Sequence, residues 1–368
     1  MKISIPRQDL FEIVNKVKSV VASKSALPIL SHVLMQASSG VVRLAATDLK
    51  VSIECEVDCD VQTEGSLTVS SQRLASILAE LPEDDILLEL VGNNVIELKC
   101  GRIETKLFSM SPDEFPPIRA FEGVEPVTLP QSVIKNLFQK TSFAICTDQA
   151  RYNLTGLLFE IAKGRLTVVS TDGRRMSLAM EAEGIPERTE AKVIIPAKMI
   201  HELERLLIGE GDVQVFIDES QAAFAFDRVR LVSALIEGNF PNYEMVIPQK
   251  HDKEVVIDTL KFTEAVRRTR TMTNDKFNSV RFHVSPDVIT LKVVTPEVGE
   301  YEEELEIEYG GENVDIAFNP DFMLDVLRHV GSPKVCLVLK DGSSPGIIKP
   351  YTEAPLDSYL NVIMPIRI

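Results

Sequence analysis

The residues in this chain best suited to chemistry form the run Thr171-Asp172-Gly173-Arg174-Arg175. An aspartate, a glycine and two arginines could cradle a phosphate, but a phosphate loop needs a glycine-rich turn that opens a helix, and this run lacks that pattern. It reads as a turn between strands. The five histidines, His32, His201, His251, His283 and His329, have no carboxylate or cysteine at a repeated catalytic spacing, and neither G-x-S-x-G nor H-E-x-x-H occurs. An enzyme assembled between domains, for instance a hydrolase, is the alternative class, and residue spacing gives it little support. Cys55, Cys59, Cys100, Cys146 and Cys336 are odd in number and contain no C-x-x-C pair, which favours buried reduced thiols over a disulfide framework or a zinc site.

A length of 368 residues exceeds what one core sustains and predicts two or three domains. With 45% hydrophobic and 26% charged residues, the chain has apolar surface to bury and is not expected to be disordered. No apolar run is long enough for a membrane span, and the start Met1-Lys2-Ile3-Ser4-Ile5-Pro6-Arg7 breaks before a signal-peptide core, so a cytoplasmic location is expected. A net charge of -16 opposes phosphate binding only if it is evenly spread. Acidic residues gather between Glu297 and Glu312, whereas Arg267, Arg268 and Arg270 form a basic stretch.

The chain repeats itself. Leu27-Pro28-Ile29-Leu30 through Ala46-Thr47-Asp48-Leu49, Tyr152-Asn153-Leu154-Thr155-Gly156 through Ser170-Thr171-Asp172-Gly173, and Phe277-Asn278-Ser279-Val280 through Val294-Thr295-Pro296-Glu297 share one order of elements. Asp48 to Asp172 and Asp172 to Pro296 both span 124 residues, the difference of their numbers. That period is too long for a solenoid, so each copy should be a domain. Amphipathic spacing predicts a helix before each turn, over 10–21, 132–143 and 262–272, and a second after it, over 72–81, 197–207 and 320–330. Short alternating strands such as Val41–Ala45 and Val213–Ile217 lie between. Phe-Pro turns at Phe115-Pro116 and Phe240-Pro241 close the first two copies, which gives domains of 1–121, 122–250 and 251–368.

From Met1 to Ile368 the chain resembles the bacterial DNA polymerase III beta subunit family, the beta sliding clamps. The resemblance rests on Leu27-Pro28-Ile29-Leu30, Thr47-Asp48-Leu49, Arg151-Tyr152, Thr171-Asp172-Gly173-Arg174-Arg175, Phe240-Pro241-Asn242-Tyr243, Asn274-Asp275-Lys276-Phe277 and Met364-Pro365-Ile366-Arg367-Ile368, in the family's order and spacing. It implies an α+β fold of three clamp-type domains, helices inside and antiparallel sheets outside. Two copies would join head to tail as a ring around double-stranded DNA. It implies no catalysis, cofactor or metal, and as partners the replicative polymerase alpha subunit, the clamp loader, repair polymerases and other replication factors.

The resemblance also implies residue roles. DNA contacts map to Lys24, Gln72, Arg73, Asp148, Tyr152 and Asn153, the last standing where the family often has a second aromatic. A sliding ring needs phosphate contacts without base readout, for which Lys16, Lys18, Lys135, Lys140, Arg267, Arg268 and Arg270 are candidates. A groove for partner peptides maps to Leu154, Thr171, Gly173, Arg174, Arg175, Met176, Pro241, Val246, Val362, Ile363, Met364, Pro365, Ile366 and Arg367. In it, apolar pockets would take side chains and the arginines would hold the peptide's polar groups at the rim. The dimer contact maps to Arg73, Arg102 and Lys106 facing Thr271, Met272, Glu300, Glu303 and Glu304. Thr105 and Thr271 stand there in place of the bulkier apolar residues expected.

Overall fold

The computed structural model describes residues 1–21, 26–92, 94–187, 189–248, 253–352 and 358–367. Its helices are α1 (Arg7–Lys18), α2 (Ser71–Glu80), α3 (Gln131–Thr141), α4 (Ala197–Leu206), α5 (Thr259–Arg270) and α6 (Pro320–His329). The apolar spacing explains why they form: α1 buries Leu10, Ile13, Val14 and Val17, one stripe at three- and four-residue steps. Each such side chain stabilises the packed state by roughly 1.5–3 kcal/mol. Capping fixes where they start. Ser70 accepts from the Arg73 amide ahead of α2, Asp258 from Lys261 ahead of α5, and Asn319 from Asp321 ahead of α6, where Pro320 takes the first turn. Because Asp258 caps it, α5 begins three residues before the expected Phe262.

Antiparallel pairing links the strands into four sheets. One runs Asp60–Thr63, Lys2–Pro6, Asp85–Val91, Val95–Cys100, Ile103–Phe108. The next, of eight strands, runs Val127–Pro130, Asp212–Ile217, Gln221–Phe226, Val229–Ala234, Val51–Asp58, Val41–Thr47, His32–Ser38, Gly65–Ser70. Another eight run Ala191–Pro196, Gly156–Ala162, Arg165–Thr171, Arg175–Glu181, Tyr359–Ile363, Gly346–Pro350, Lys334–Leu339, Lys253–Asp258. The last runs Gly299–Glu306, Val288–Thr295, Val280–Ser285, Val314–Phe318.

The eight-stranded sheets cross from one repeat into the next, with Leu231 opposite Ile53 and Leu178 opposite Leu360. Compactness therefore divides the chain differently from the repeat. One unit holds Met1–Ser132 with Lys198–Leu235, the other Val133–Ala197 with Ile236–Ile368. Strand pairing at the seams is the reason, since it satisfies the backbone groups that each repeat would leave unpaired at its sheet edge. The expected boundary at 250 and 251 lies outside the described residues.

Within the first unit, α4 is tied to the end of α1 and to the first repeat's turn. Lys198 Nζ donates to the Val20 carbonyl at 3.0 Å and to Asp48 Oδ2 at 2.6 Å, and Arg205 reaches the Lys16 carbonyl at 2.8 Å and Ser19 Oγ at 2.6 Å. Burial alone would raise the Asp48 carboxyl, but the Lys198 hydrogen bond and the Val51 and Lys50 amides outweigh it and hold it below its ordinary 3.8. A depressed carboxyl stabilises the fold above its unfolded value, and that contribution is lost as pH falls through the folded one. Asp48→Asn should therefore cost about 2 kcal/mol at pH 7, the worth of a charge-assisted bond. The gap between the two melting temperatures should hold from pH 7 to 5 and narrow below pH 4 or so; a gap of constant size at pH 3 would rule this account out.

Candidate functional site: an apolar groove and basic helix faces

The turn at Thr171 is built from its own side chains. Asp172 Oδ1 accepts from the amides of Arg174 (2.8 Å) and Arg175 (3.0 Å), while Thr171 Oγ1 accepts from Gly173 (3.0 Å) and donates to the Arg175 carbonyl (2.7 Å). Gly173 has a φ of 82°, in the left-handed region. Its counterparts Leu49 (76°) and Glu297 (67°) share that conformation without being glycine, so the repeat specifies the turn's shape even where side-chain sterics oppose it.

From this turn the strand Arg175–Glu181 runs beside the C-terminal strand Tyr359–Ile363, placing Met176 opposite Val362, and the Met364 amide donates to the Arg174 carbonyl at 2.9 Å. The result is a cavity of about 130 Å³ lined by Leu154, Thr171, Gly173, Arg175, Met176, Pro241, Tyr243, Val246, Val362 and Met364. Beneath it lies a core cluster that includes Leu158, Val169, Leu178, Val338, Ile347 and Leu360, with Phe240, Tyr243 and Ile247 packed on it. The floor is thus rigid and apolar. Met364, 41% exposed, and Val246 form an open, adaptable edge.

Nine of the fourteen residues expected at the groove line this cavity. Ile363 is buried away from it, Arg174, Ile366 and Arg367 are exposed outside it, and Pro365 is half-buried. Tyr243, the last residue of the Phe240-Pro241-Asn242-Tyr243 motif and not among the expected groove residues, lines it as well. Arg175 lines the cavity and is anchored in its wall. Its guanidinium contacts Asp172 (3.1 Å), Asp325 of α6 (2.6 Å) and the Phe143 carbonyl (2.7 Å), and lies 4.5 Å over the Phe322 ring. It braces the wall, with Nε, Nη1 and Nη2 each already donating one bond there.

The basic residues sort in the same way. Arg268 holds Glu303 through two bonds (2.6 and 3.1 Å), and this contact lowers the Glu303 carboxyl. Arg270 pairs with Asp321, and Lys140 lies 5.2 Å over the Tyr359 ring, its ammonium lowered by burial. Lys16, Lys18 and Arg267 are exposed and Lys135 half-buried, and none makes an ion pair among the described residues. Gln72 and Arg73 are exposed in the first turn of α2. Asp148 accepts from the Ala150 amide at 3.0 Å, Tyr152 is 49% exposed, and half-buried Asn153 donates to the Asn239 carbonyl at 3.0 Å. Lys24 lies outside the described residues. Among those residues no cluster of His, Cys, Asp and Glu could hold a metal, and no helix is long and apolar enough to cross a membrane.

Family models for the DNA polymerase III beta subunit match in sequence: the N-terminal domain at residues 1–119, the central domain at 128–242 and the C-terminal domain at 244–367. The chain belongs to the DNA polymerase III beta subunit family, the beta sliding clamps. It is 32% identical to the beta sliding clamp of Chlamydia muridarum, over 100% of this chain and 99% of that one, and 33% identical to that of Pseudomonas aeruginosa over the whole of both. Among solved structures it matches the P. aeruginosa beta subunit with a TM-score of 0.94 at 32% identity, covering 100% of each chain. The Bacillus subtilis clamp matches with a TM-score of 0.96 at 26% identity, covering 100% of this chain and 99% of that one.

Among the edge strands of this clamp's described residues, two carry contrasting side chains. Ile103–Phe108 is the outer strand of the five-stranded sheet and Gly299–Glu306 that of the four-stranded sheet. The first carries exposed Lys106 with Arg102 just before it, and Phe108, 82% exposed, at its end. The second presents Glu300, Glu302, Glu304 and Glu306 to solvent, while Glu303 turns to Arg268. Beside it, Thr271 is exposed with its hydroxyl donating to the Arg268 carbonyl at 2.7 Å, and Met272 is half-buried. Sequence reasoning missed Ile103 and Phe108. Their signal was two large apolar residues at the ends of a strand whose other residues alternate with charge.

Proposed function

We propose that two copies of this chain close head to tail into a ring around duplex DNA and tether a polymerase to it without catalysing a reaction. The pair of contrasting sheet edges carries this reading. An edge with Arg102, Lys106 and exposed Phe108 and an edge with Glu300, Glu302, Glu304 and Glu306 are complementary, and a heterologous contact that closes on itself forms a ring in which both are covered. Lys16, Lys18, Lys135 and Arg267 would meet phosphates, with Gln72, Arg73, Asp148 and Tyr152 as further contacts, and none of these requires a particular base.

The apolar groove would take the peptide of the replicative polymerase alpha subunit, the clamp loader or repair polymerases, with Leu154, Met176, Val362 and Met364 as its pocket. Supporting this, a C. crescentus clamp was solved with PEG bound at what is named as its beta-motif tethering region, and this chain matches it with a TM-score of 0.94 at 32% identity, over 100% of this chain and 99% of that one. A tethered polymerase stays at high local concentration near the primer end, so its dissociation no longer ends synthesis. The site of action would be the cytoplasm.

Topology gives the test. Loaded onto nicked circular plasmid by its clamp loader, the protein should stay on circles through gel filtration in high salt and run off once the plasmid is linearised. Equal loss from both would leave only electrostatic attachment and defeat the proposal.

A further inference from the structure

Residues Gln149–Leu154 form a short helical segment broken at Arg151, whose φ of −108° and ψ of 58° leave the helical region. Its side chains serve different neighbours. Tyr152 is exposed, on the side proposed to meet DNA. Arg151 Nη1 donates to the Asp172 carbonyl in the turn that forms one wall of the groove. Asn153 Nδ2 donates at 3.0 Å to the Asn239 carbonyl, two residues before Pro241 in another wall. Leu154 lines the groove itself. Gly173 is shaped to this arrangement, since a Cβ there would come 3.0 Å from Arg151 Nη1. One six-residue segment thus reaches two walls of the groove, each through a side-chain donor to a backbone carbonyl.

We propose that Arg151 and Asn153 are positioning residues that couple the groove to DNA: displacing the segment at Tyr152 shifts the Asp172 and Asn239 carbonyls, and with them the groove's width. This rests on the DNA-side and groove readings above. The kink at Arg151 supplies the pivot, because the helical hydrogen-bond pattern does not continue through it. Linkage makes the coupling reciprocal, so a ligand in the groove must alter DNA affinity by the same factor that DNA alters the ligand's.

Griselimycin is the probe, having been found bound to clamps of P. aeruginosa and Bartonella birtlesii. Its affinity for the full-length dimer is measured calorimetrically with and without a saturating 30-base-pair duplex, a length of about three helical turns, at low salt. In the wild type the duplex should change that affinity about fivefold or more. Asn153→Asp keeps the side chain's size and removes its donor. This variant should melt near the wild-type temperature yet show less than about a twofold DNA effect. Tyr152→Ala should abolish the effect as well. Met364→Asp, at a partly exposed lining residue, should weaken griselimycin binding and so seat the probe in the groove. A wild-type affinity indifferent to the duplex, an undiminished effect in Asn153→Asp, or unchanged griselimycin binding in Met364→Asp overturns the inference, while the groove reading is judged separately by processive synthesis with Met364→Asp.

Discussion

Replacing Arg73 by Glu should weaken self-association about thirtyfold, the equivalent of roughly 2 kcal/mol for an interfacial charge pair. The internal repeat supplies the argument. In each second helix, one residue precedes the first of two buried side chains four apart: Arg73 before Leu74 and Leu78, Lys198 before Met199 and Leu203, Phe322 before Met323 and Leu327. Two of these positions grasp the turn of the preceding repeat, Lys198 at Asp48 and Phe322 under Arg175. Arg73 has no preceding repeat within its own chain. In a head-to-tail ring it would meet the third turn of its partner, where Glu297 is exposed beside Thr295, itself fixed by a 2.6 Å bond to the Met272 carbonyl. Glu297→Arg should therefore weaken the dimer to a similar degree, and the two substitutions combined should restore it to within about threefold of wild type, as expected of two residues that contact each other. Sedimentation at nanomolar concentration reads this directly. The single-variant loss should shrink at high salt, because the pair lies near the surface. A double variant no better than either single one would separate Arg73 from Glu297.

How much of this was legible in the sequence follows from the range of each interaction. The helices were, because apolar residues at three- and four-residue steps are a local pattern; α5 starts earlier than that pattern suggests because the Asp258 cap adds a turn ahead of it. The period of 124 residues revealed the repeats but not that their sheets join, since that depends on Val229–Ala234 finding Val51–Asp58 across nearly half the chain. Residue types marked the groove, yet the role of Arg175 could not be read from its neighbours, because its partner Asp325 lies 150 positions away. The same holds for the basic residues of α5. Arg267, Arg268 and Arg270 look alike in a row, and only the placement of Glu303 and Asp321 separates Arg267, which has no ion pair among the described residues, from the two that are engaged.

That separation between grasping and bracing arginines bears on the groove as a whole. Met364→Asp should reduce processive synthesis with the polymerase and clamp loader to nearly the level seen without the clamp, while the dimer stays intact by sedimentation. Met364 is the informative position because it lines the cavity yet is partly open to solvent, so an aspartate there leaves the fold undisturbed when the groove is empty. A bound apolar peptide would strip water from that carboxylate in a cavity whose lining is mostly apolar, Leu154, Met176, Pro241, Val246 and Val362 included. An unpaired polar group buried in such a place costs about 2 kcal/mol or more, a thirtyfold loss of affinity at least. Arg175→Ala should also lower synthesis, but by another route. Removing it leaves Asp325 with only the longer Arg328 contact (3.3 Å) and the Phe143 carbonyl without this donor, so the melting temperature should fall along with binding, as losing charge-assisted hydrogen bonds of a part-buried group costs roughly 1.5–3 kcal/mol. Arg174, exposed at the turn with no side-chain partner among the described residues, should shift peptide affinity only a few-fold when replaced by Ala and leave the melting temperature unchanged. If Met364→Asp supports full synthesis while Arg175→Ala does not, the polymerase is held elsewhere and the cavity serves only to pack the seam between the second and third repeats.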